Sequence, residues 1–160
     1  MKTSDPIFEE TQYFRQIWLW ILIIPAMLLA CIVPWVVPSK TEPVFPAIIS
    51  TFICLAVLLL FYWLHLKTRI TDEGIIFSFP PFLFREKRIP FSDINKLEVI
   101  KYHPIRDFGG WGIKWGLKGR AYNVSGNMGL MIELKNGKHL LLGTNKADDL
   151  RRVIEKIHLS

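Results

Sequence analysis

IWLWILIIPAMLLACIVPWVV, residues 17–37, runs twenty-one residues without a charge, and AIISTFICLAVLLLFYWLHL, residues 47–66, runs twenty more. At 1.5 Å per residue, about 20 apolar residues cover a hydrocarbon core ~30 Å thick. A core helix of a water-borne domain normally keeps a polar face, and neither run has one. The sequence therefore reads as a membrane α-helical hairpin of two transmembrane (TM) helices, spanning about 17–37 and 47–66. The intervening PSKTEP, residues 38–43, is too short to recross the bilayer, so the helices are expected to be antiparallel neighbours. Pro46 falls at the start of the second run, where a missing N–H matters least. Pro25 and Pro34 predict a bend in the first.

Charge is distributed to match. Hydrophobic residues make up 51% of the 160-residue chain, and between Ile17 and Leu66 the charged residues are Lys40 and Glu42. From Lys67 onward seventeen Lys and Arg face ten Asp and Glu, so the basic excess behind the chain's net +6 lies in the C-terminal part. The composition break predicts a tail and hairpin over 1–66 and a cytoplasmic β domain over 67–160. Arg15, Lys67 and Arg69 flank the runs on one side and Lys40 stands alone on the other. By the positive-inside bias both termini are cytoplasmic. Tyr13, Phe14, Trp18, Trp20, Trp35, Tyr62 and Trp63 sit at the run edges, where aromatic belts form. Leu28-Leu29-Ala30-Cys31 resembles a lipoprotein processing site, but the residues after Cys31 stay apolar and the leader carries Asp5, Glu9 and Glu10, unlike a basic secretory n-region. Cys31 and Cys54 both fall inside the apolar runs, which argues for free thiols.

Beyond Lys67 the pattern changes to short β-rich runs separated by turn chemistry. Strands are expected over 67–71, 75–79, 86–90, 96–101, 112–115, 119–123, 129–134 and 139–142. LMIELKNGKHLLLG, residues 130–143, sets two apolar runs around Asn136-Gly137, the signature of a type I′ hairpin. Thr144 or Asn145 can cap a helix reaching His158, with Leu150, Val153, Ile154 and Ile157 at helical spacing. Asp148 and Asp149 near its start and Lys156 and His158 near its end complement the dipole. The expected fold is thus the hairpin followed by an α+β, mainly β barrel capped by a C-terminal helix.

RITDEGIIF, residues 69–77, followed by RIPFSDINKLEV, residues 88–99, resembles the opening of bacterial pleckstrin-homology-like (PH-like) domains. The resemblance covers about 67–158. It implies a PH-like seven-stranded barrel plugged by a helix, attached to the bacterial cytoplasmic (inner) membrane in a multi-pass protein, with a binding or assembly role and no defined ligand. The segment RDFGGWGIKWGLKGRAYNVSGNMGLMIEL is also similar to small membrane proteins of that class.

Two segments stand out as candidate sites. Arg106, Gly109, Gly110, Trp111, Gly112, Lys114 and Trp115 form a glycine- and tryptophan-rich candidate binding loop, in which glycine permits close backbone approach and tryptophan offers flat apolar surface beside cations. The plain alternative is a bulged strand whose tryptophans fill the barrel. The spacing G-x-G-x-x-x-G, without a βαβ setting, is not a dinucleotide fingerprint. Phe82, Phe84, Arg85, Lys87 and Arg88 form a candidate membrane-surface contact, since cations near an acidic leaflet contribute about 1 kcal/mol each. The alternative is a solvated hairpin with inward aromatics.

No catalytic, cofactor or metal site is read. His65, His103, His139 and His158 lack ligand spacing and the β region has no Cys. Ser92-Asp93 suits a turn, and Asn123-Val124-Ser125, a glycosylation sequon by pattern, suits a turn as well. The expected function is non-enzymatic: an integral membrane protein whose cytoplasmic domain mediates assembly or binds a lipid head group or a protein. The partners expected are membrane lipid and a possible homo-oligomer or membrane-protein partner, with no nucleic acid. The alternative is a small transporter or channel subunit with a regulatory domain, for which the runs offer Ser50, Thr51, Cys31 and Cys54 as polar lining. An enzyme ranks third.

Overall fold

The structure, a computed structural model, describes residues 5–36, 44–116 and 119–158. It divides into two compact units: one spans Phe14–Leu64, and the other joins the residues before it to those from His65 onward.

The first unit holds two helices, α1 (Ile17–Val36) and α2 (Val44–Trp63). Their surfaces are apolar and largely uncovered: Ile21, Leu22, Leu29, Phe45, Phe52 and Tyr62 are all exposed. The hydroxyls of Ser50 and Thr51 both donate to the Ala47 carbonyl, at 3.0 and 2.8 Å. The Cys54 thiol lies 3.8 Å from the Met27 carbonyl. Phe61 meets Phe14 and Trp20 edge-on, at ring separations of 5.9 and 6.2 Å.

The expectation of a two-span membrane hairpin needs correction. Among the described residues one helix, Phe45–Trp63, is long and apolar enough to cross a membrane. Within α1 the apolar stretch Leu19–Val33 is shorter than such a span. The connection at 38–43 and Val37 lie outside the described residues, as do the side chains of Trp18, Pro34, Trp35 and His158.

The second unit is mainly β and is built from two sheets rather than the expected seven-stranded barrel. Sheet one runs β1 (Phe8–Tyr13), β2 (His65–Ile70), β3 (Gly74–Phe79) and β4 (Leu83–Pro90), each antiparallel to its neighbour. Sheet two uses β5 (Ile94–Lys101), β6 (Gly112–Gly116), β7 (Gly119–Asn123), β8 (Met128–Leu134) and β9 (His139–Thr144) in the order β5-β8-β9-β7-β6. Its one parallel pair is β7 with β9. A 3-10 turn, Phe91–Asp93, carries the chain from one sheet to the other.

Strand β1 replaces the expected N-terminal tail. FEETQY alternates in burial, with Phe8, Glu10 and Gln12 inward. It pairs with β2 from Phe8↔Ile70 to Tyr13↔His65, so the apolar helices are an insertion between neighbouring strands of one sheet. The inward polar residues find partners on sheet two. Gln12 Nε2 donates to Gly143 O at 2.6 Å. Glu10, almost fully buried, accepts from the Thr144 hydroxyl at 2.6 Å and the Asn145 N–H at 2.8 Å. Buried polar groups are tolerated when bonded in this way.

The two inner faces meet over an apolar core. Ile75, Phe77 and Phe79 of β3 share a face, as do Tyr122, Leu140, Leu142, Leu130 and Ile132 of sheet two, all nearly inaccessible. Phe77 and Tyr122 rings stand 4.9 Å apart. A short helix, α3 (Pro104–Phe108), follows β5, and helix α4 (Ala147–His158) packs against β5 through a stripe that includes Leu150 and Ile154, with Thr144 Oγ accepting from the Lys146 N–H at 3.0 Å at its start. The β8–β9 connection is also corrected in detail. Leu134 O accepts from Gly137 N and Leu134 N donates to Lys138 O, both at 2.9 Å, and Gly137 has φ 77°. This is a three-residue turn closed by a left-handed glycine rather than a two-residue type I′ turn.

Candidate functional site

The glycine-tryptophan segment follows α3 (Pro104–Phe108), a single turn set off by Pro104 at its start and left-handed Gly109 (φ 72°) at its end. Gly109 and Gly110 N–H donate to Ile105 O and Pro104 O at 2.8 and 2.9 Å. Phe108 and Tyr102 are buried with Ala121 and Leu141, their rings 5.9 Å apart and nearly perpendicular. Asn123, fully buried, accepts from Gly112 N at 2.9 Å and donates to the Tyr102 hydroxyl at 3.0 Å. Burial pushes the Tyr102 phenol above its usual range, an effect the Asn123 bond partly offsets. The Trp111 indole donates to Gly126 O at 3.2 Å. Arg106 is exposed, beside Asp107 at 3.4 Å and His103 at 3.2 Å. Most of this segment is thus held by its own bonds.

Trp115 behaves differently. It is 71% exposed, on the same face of the β6–β7 pair as Arg120, whose guanidinium lies 4.5 Å from its ring centre. Arg120 also donates to the Tyr122 hydroxyl at 3.2 Å. Beside them opens a groove of about 720 Å³ between the edge strand β4 and the β6–β7 pair, reaching the β8–β9 turn. Lys87, Arg88, Arg120, Lys138 and His139 contribute its polar lining, with no carboxylate among the described lining residues. Phe77, Ile89, Tyr122, Leu134 and Leu140 contribute apolar surface. The structure thus brings Trp115 of one sequence candidate together with Lys87 and Arg88 of the other. Lys114, paired with Ala121 on the opposite face, stays out.

Glycine is required where β7 begins, next to the β6–β7 turn. Gly119 has φ 100°, and a Cβ there would stand 2.3 Å from the His139 carbonyl oxygen. The residues at the tip, Leu117 and Lys118, lie outside the described set.

The remaining surface candidates lie at one end of sheet one. Phe82 and Phe84 are 64% and 70% exposed, and Arg85 is exposed beside them. His65 N donates to Pro80 O at 3.4 Å where this turn begins, and His65 pairs with Tyr13, their rings 5.2 Å apart. Tyr13 and His65 are the residues where the chain leaves and re-enters the β unit. The Phe82 turn therefore shares that end of the sheet. Compared with protein-family models, curated proteins and solved structures, the chain matches none. The likeness to PH-like domains rests on the quoted sequence segments alone.

Sequence reasoning missed Arg120, Lys138 and His139 as groove residues. Each is unremarkable in its own strand, and the signal that unites them is tertiary. Ser92 lies exposed in the 3-10 turn, its hydroxyl 3.3 Å from Asp93. Among the described residues no three His, Cys, Asp or Glu converge as metal ligands would.

Proposed function

We propose that this chain is a non-enzymatic membrane protein, anchored at the bacterial cytoplasmic membrane through its apolar helical unit, whose β unit meets an anionic lipid head-group layer through the Phe82–Arg85 turn. The observation that carries this reading is the exposed Phe82 and Phe84, with Arg85, at the sheet end where Tyr13 and His65 connect to the apolar unit. Two exposed phenylalanines are unfavourable in water, at about 1.5–3 kcal/mol for a fully buried side chain of this size. At the interface their apolar surface leaves water while Arg85 faces lipid phosphate. The transporter alternative has less support, because the Ser50 and Thr51 hydroxyls bond to the Ala47 carbonyl and so offer little lining.

The test places a nitroxide at position 82 or 84 through Phe→Cys in a chain with Cys31 and Cys54 replaced by Ala, reconstituted in bilayer nanodiscs. With phosphatidylglycerol present the label should show head-group depth by oxygen and nickel accessibility. With phosphatidylcholine alone it should lie shallower. A label in bulk water in both would sink the reading, as would recovery of the folded full-length chain in the aqueous fraction without detergent.

A further inference from the structure

We infer that the groove between β4 and the β6–β7 pair binds a water-borne organic phosphate carrying at least two negative charges and a flat apolar body. Four basic residues, Lys87, Arg88, Arg120 and Lys138, line one groove with no carboxylate among the described lining residues. Among the described residues Lys87, Arg88 and Lys138 form no ion pair. Like charges gathered in this way repel, and a multivalent anion relieves the repulsion while gaining charge-assisted hydrogen bonds. Phosphate suits the set better than carboxylate, because its several oxygens accept from more than one cation at a time.

The apolar half of the groove specifies the rest of the ligand. Trp115 stands in solvent with Arg120 on its ring, next to Phe77, Ile89, Tyr122 and Leu140. Inorganic phosphate would leave that surface wet, whereas an aromatic body covers it. The volume of about 720 Å³ falls in the range of small-molecule sites, roughly 300–1,000 Å³. Position along the strand separates a dissolved ligand from a lipid. Lys87 and Ile89 follow Leu83 by four and six residues, about 13 and 20 Å at ~3.3 Å per residue. The Phe82 turn is therefore a strand's length from the groove. The choice of a water-borne source rests on the lipid-anchor reading of that turn; the phosphate chemistry does not.

The experiment is calorimetric titration of the full chain in neutral detergent with 1-naphthyl phosphate, doubly charged above about pH 7, beside inorganic phosphate and 1-naphthol. Saturable binding of naphthyl phosphate, tighter than either fragment, is expected. Lys138→Glu and Lys87→Glu, both at exposed positions, should each weaken it about tenfold. Trp115→Ala should reduce naphthyl phosphate to the affinity of inorganic phosphate. Naphthyl phosphate binding no tighter than naphthol, or unmoved by both charge reversals in variants that melt like the parent, overturns the site. In nanodiscs, loss of naphthyl phosphate binding on adding phosphatidylglycerol overturns the water-borne source while leaving the phosphate chemistry standing. The nitroxide measurement at position 82 does not involve the groove, so the two readings fail separately.

Discussion

Phe52 on α2 and Phe77 on β3 are the same side chain in opposite surroundings, 72% and 2% exposed. The contrast extends to their whole units. In the β unit most large apolar residues turn inward onto each other, Phe82, Phe84 and Trp115 being exceptions, and the polar residues buried among them are mostly bonded across the two sheets. In the helical unit Phe45, Ile48, Phe52, Leu55 and Tyr62 face outward, and the few hydroxyls fold back onto the helix backbone. A helix satisfies its own backbone and can present apolar side chains to an apolar solvent. A sheet leaves its edges and faces to be satisfied by neighbours, so the β unit depends on tertiary contacts that the helical unit does not need. Stability of the β unit should respond to core truncation, and that of the helical unit should not.

The largest expected effect tests that comparison directly. Phe77→Ala should destabilise the β unit by about 3–5 kcal/mol, read from denaturant unfolding in detergent. Phe52→Ala should stay within about 0.5 kcal/mol. Equal effects would break the distinction between the units. Next, Glu10→Ala should cost about 2–3 kcal/mol, because the Thr144 hydroxyl and Asn145 N–H lose their buried acceptor. Hydrogen exchange should show the first turn of α4 loosening with it. A variant as stable as the parent would show that β1 is dispensable to the unit.

Tyr102→Phe removes the acceptor of Asn123 Nδ2 and should cost about 1 kcal/mol. Burial holds the Tyr102 phenol above its ordinary 10.0 in the folded chain, so its contribution is complete below that pH and is lost as pH climbs through the raised folded value. The parent should therefore lose stability above pH 10 by an increment that Tyr102→Phe lacks. The smallest effect belongs to Glu9, which faces Lys67 at 2.8 Å on the outer side of the same strand as Glu10. The Lys67 hydrogen bond holds its carboxyl below 4.5, so its contribution is present above that pH and is lost as pH falls through the lowered folded value. The pair is exposed to water, and Glu9→Gln should change stability by no more than a few tenths of a kcal/mol. Glu9 and Glu10, neighbours with opposite burial, thus bracket how much a carboxylate matters in this fold.

Local chemistry made much of the β unit readable. Asn136-Gly137 marked the β8–β9 turn, and the spacing of Leu150, Val153, Ile154 and Ile157 marked α4. Strand β1 was illegible because its inward positions include Glu10 and Gln12, polar residues whose partners lie on another sheet. The candidate segments were legible as unusual, whereas their neighbours across strands were not. Trp111 is tied to Gly126, while Trp115, four residues on, enters a groove with residues from β4 and the β8–β9 turn.

By itself the sequence determined where apolar and charged residues fall, and hence that the chain has an oily segment and a basic, turn-punctuated remainder. Those follow from side-chain chemistry and short-range periodicity, which need no partner to be read. Tertiary structure alone decided that a polar N-terminal strand completes sheet one, and that Lys87, Arg88, Trp115, Arg120 and Lys138 share one groove. Each of those depends on hydrogen bonds and packing between residues far apart in the chain, where local preference carries no information.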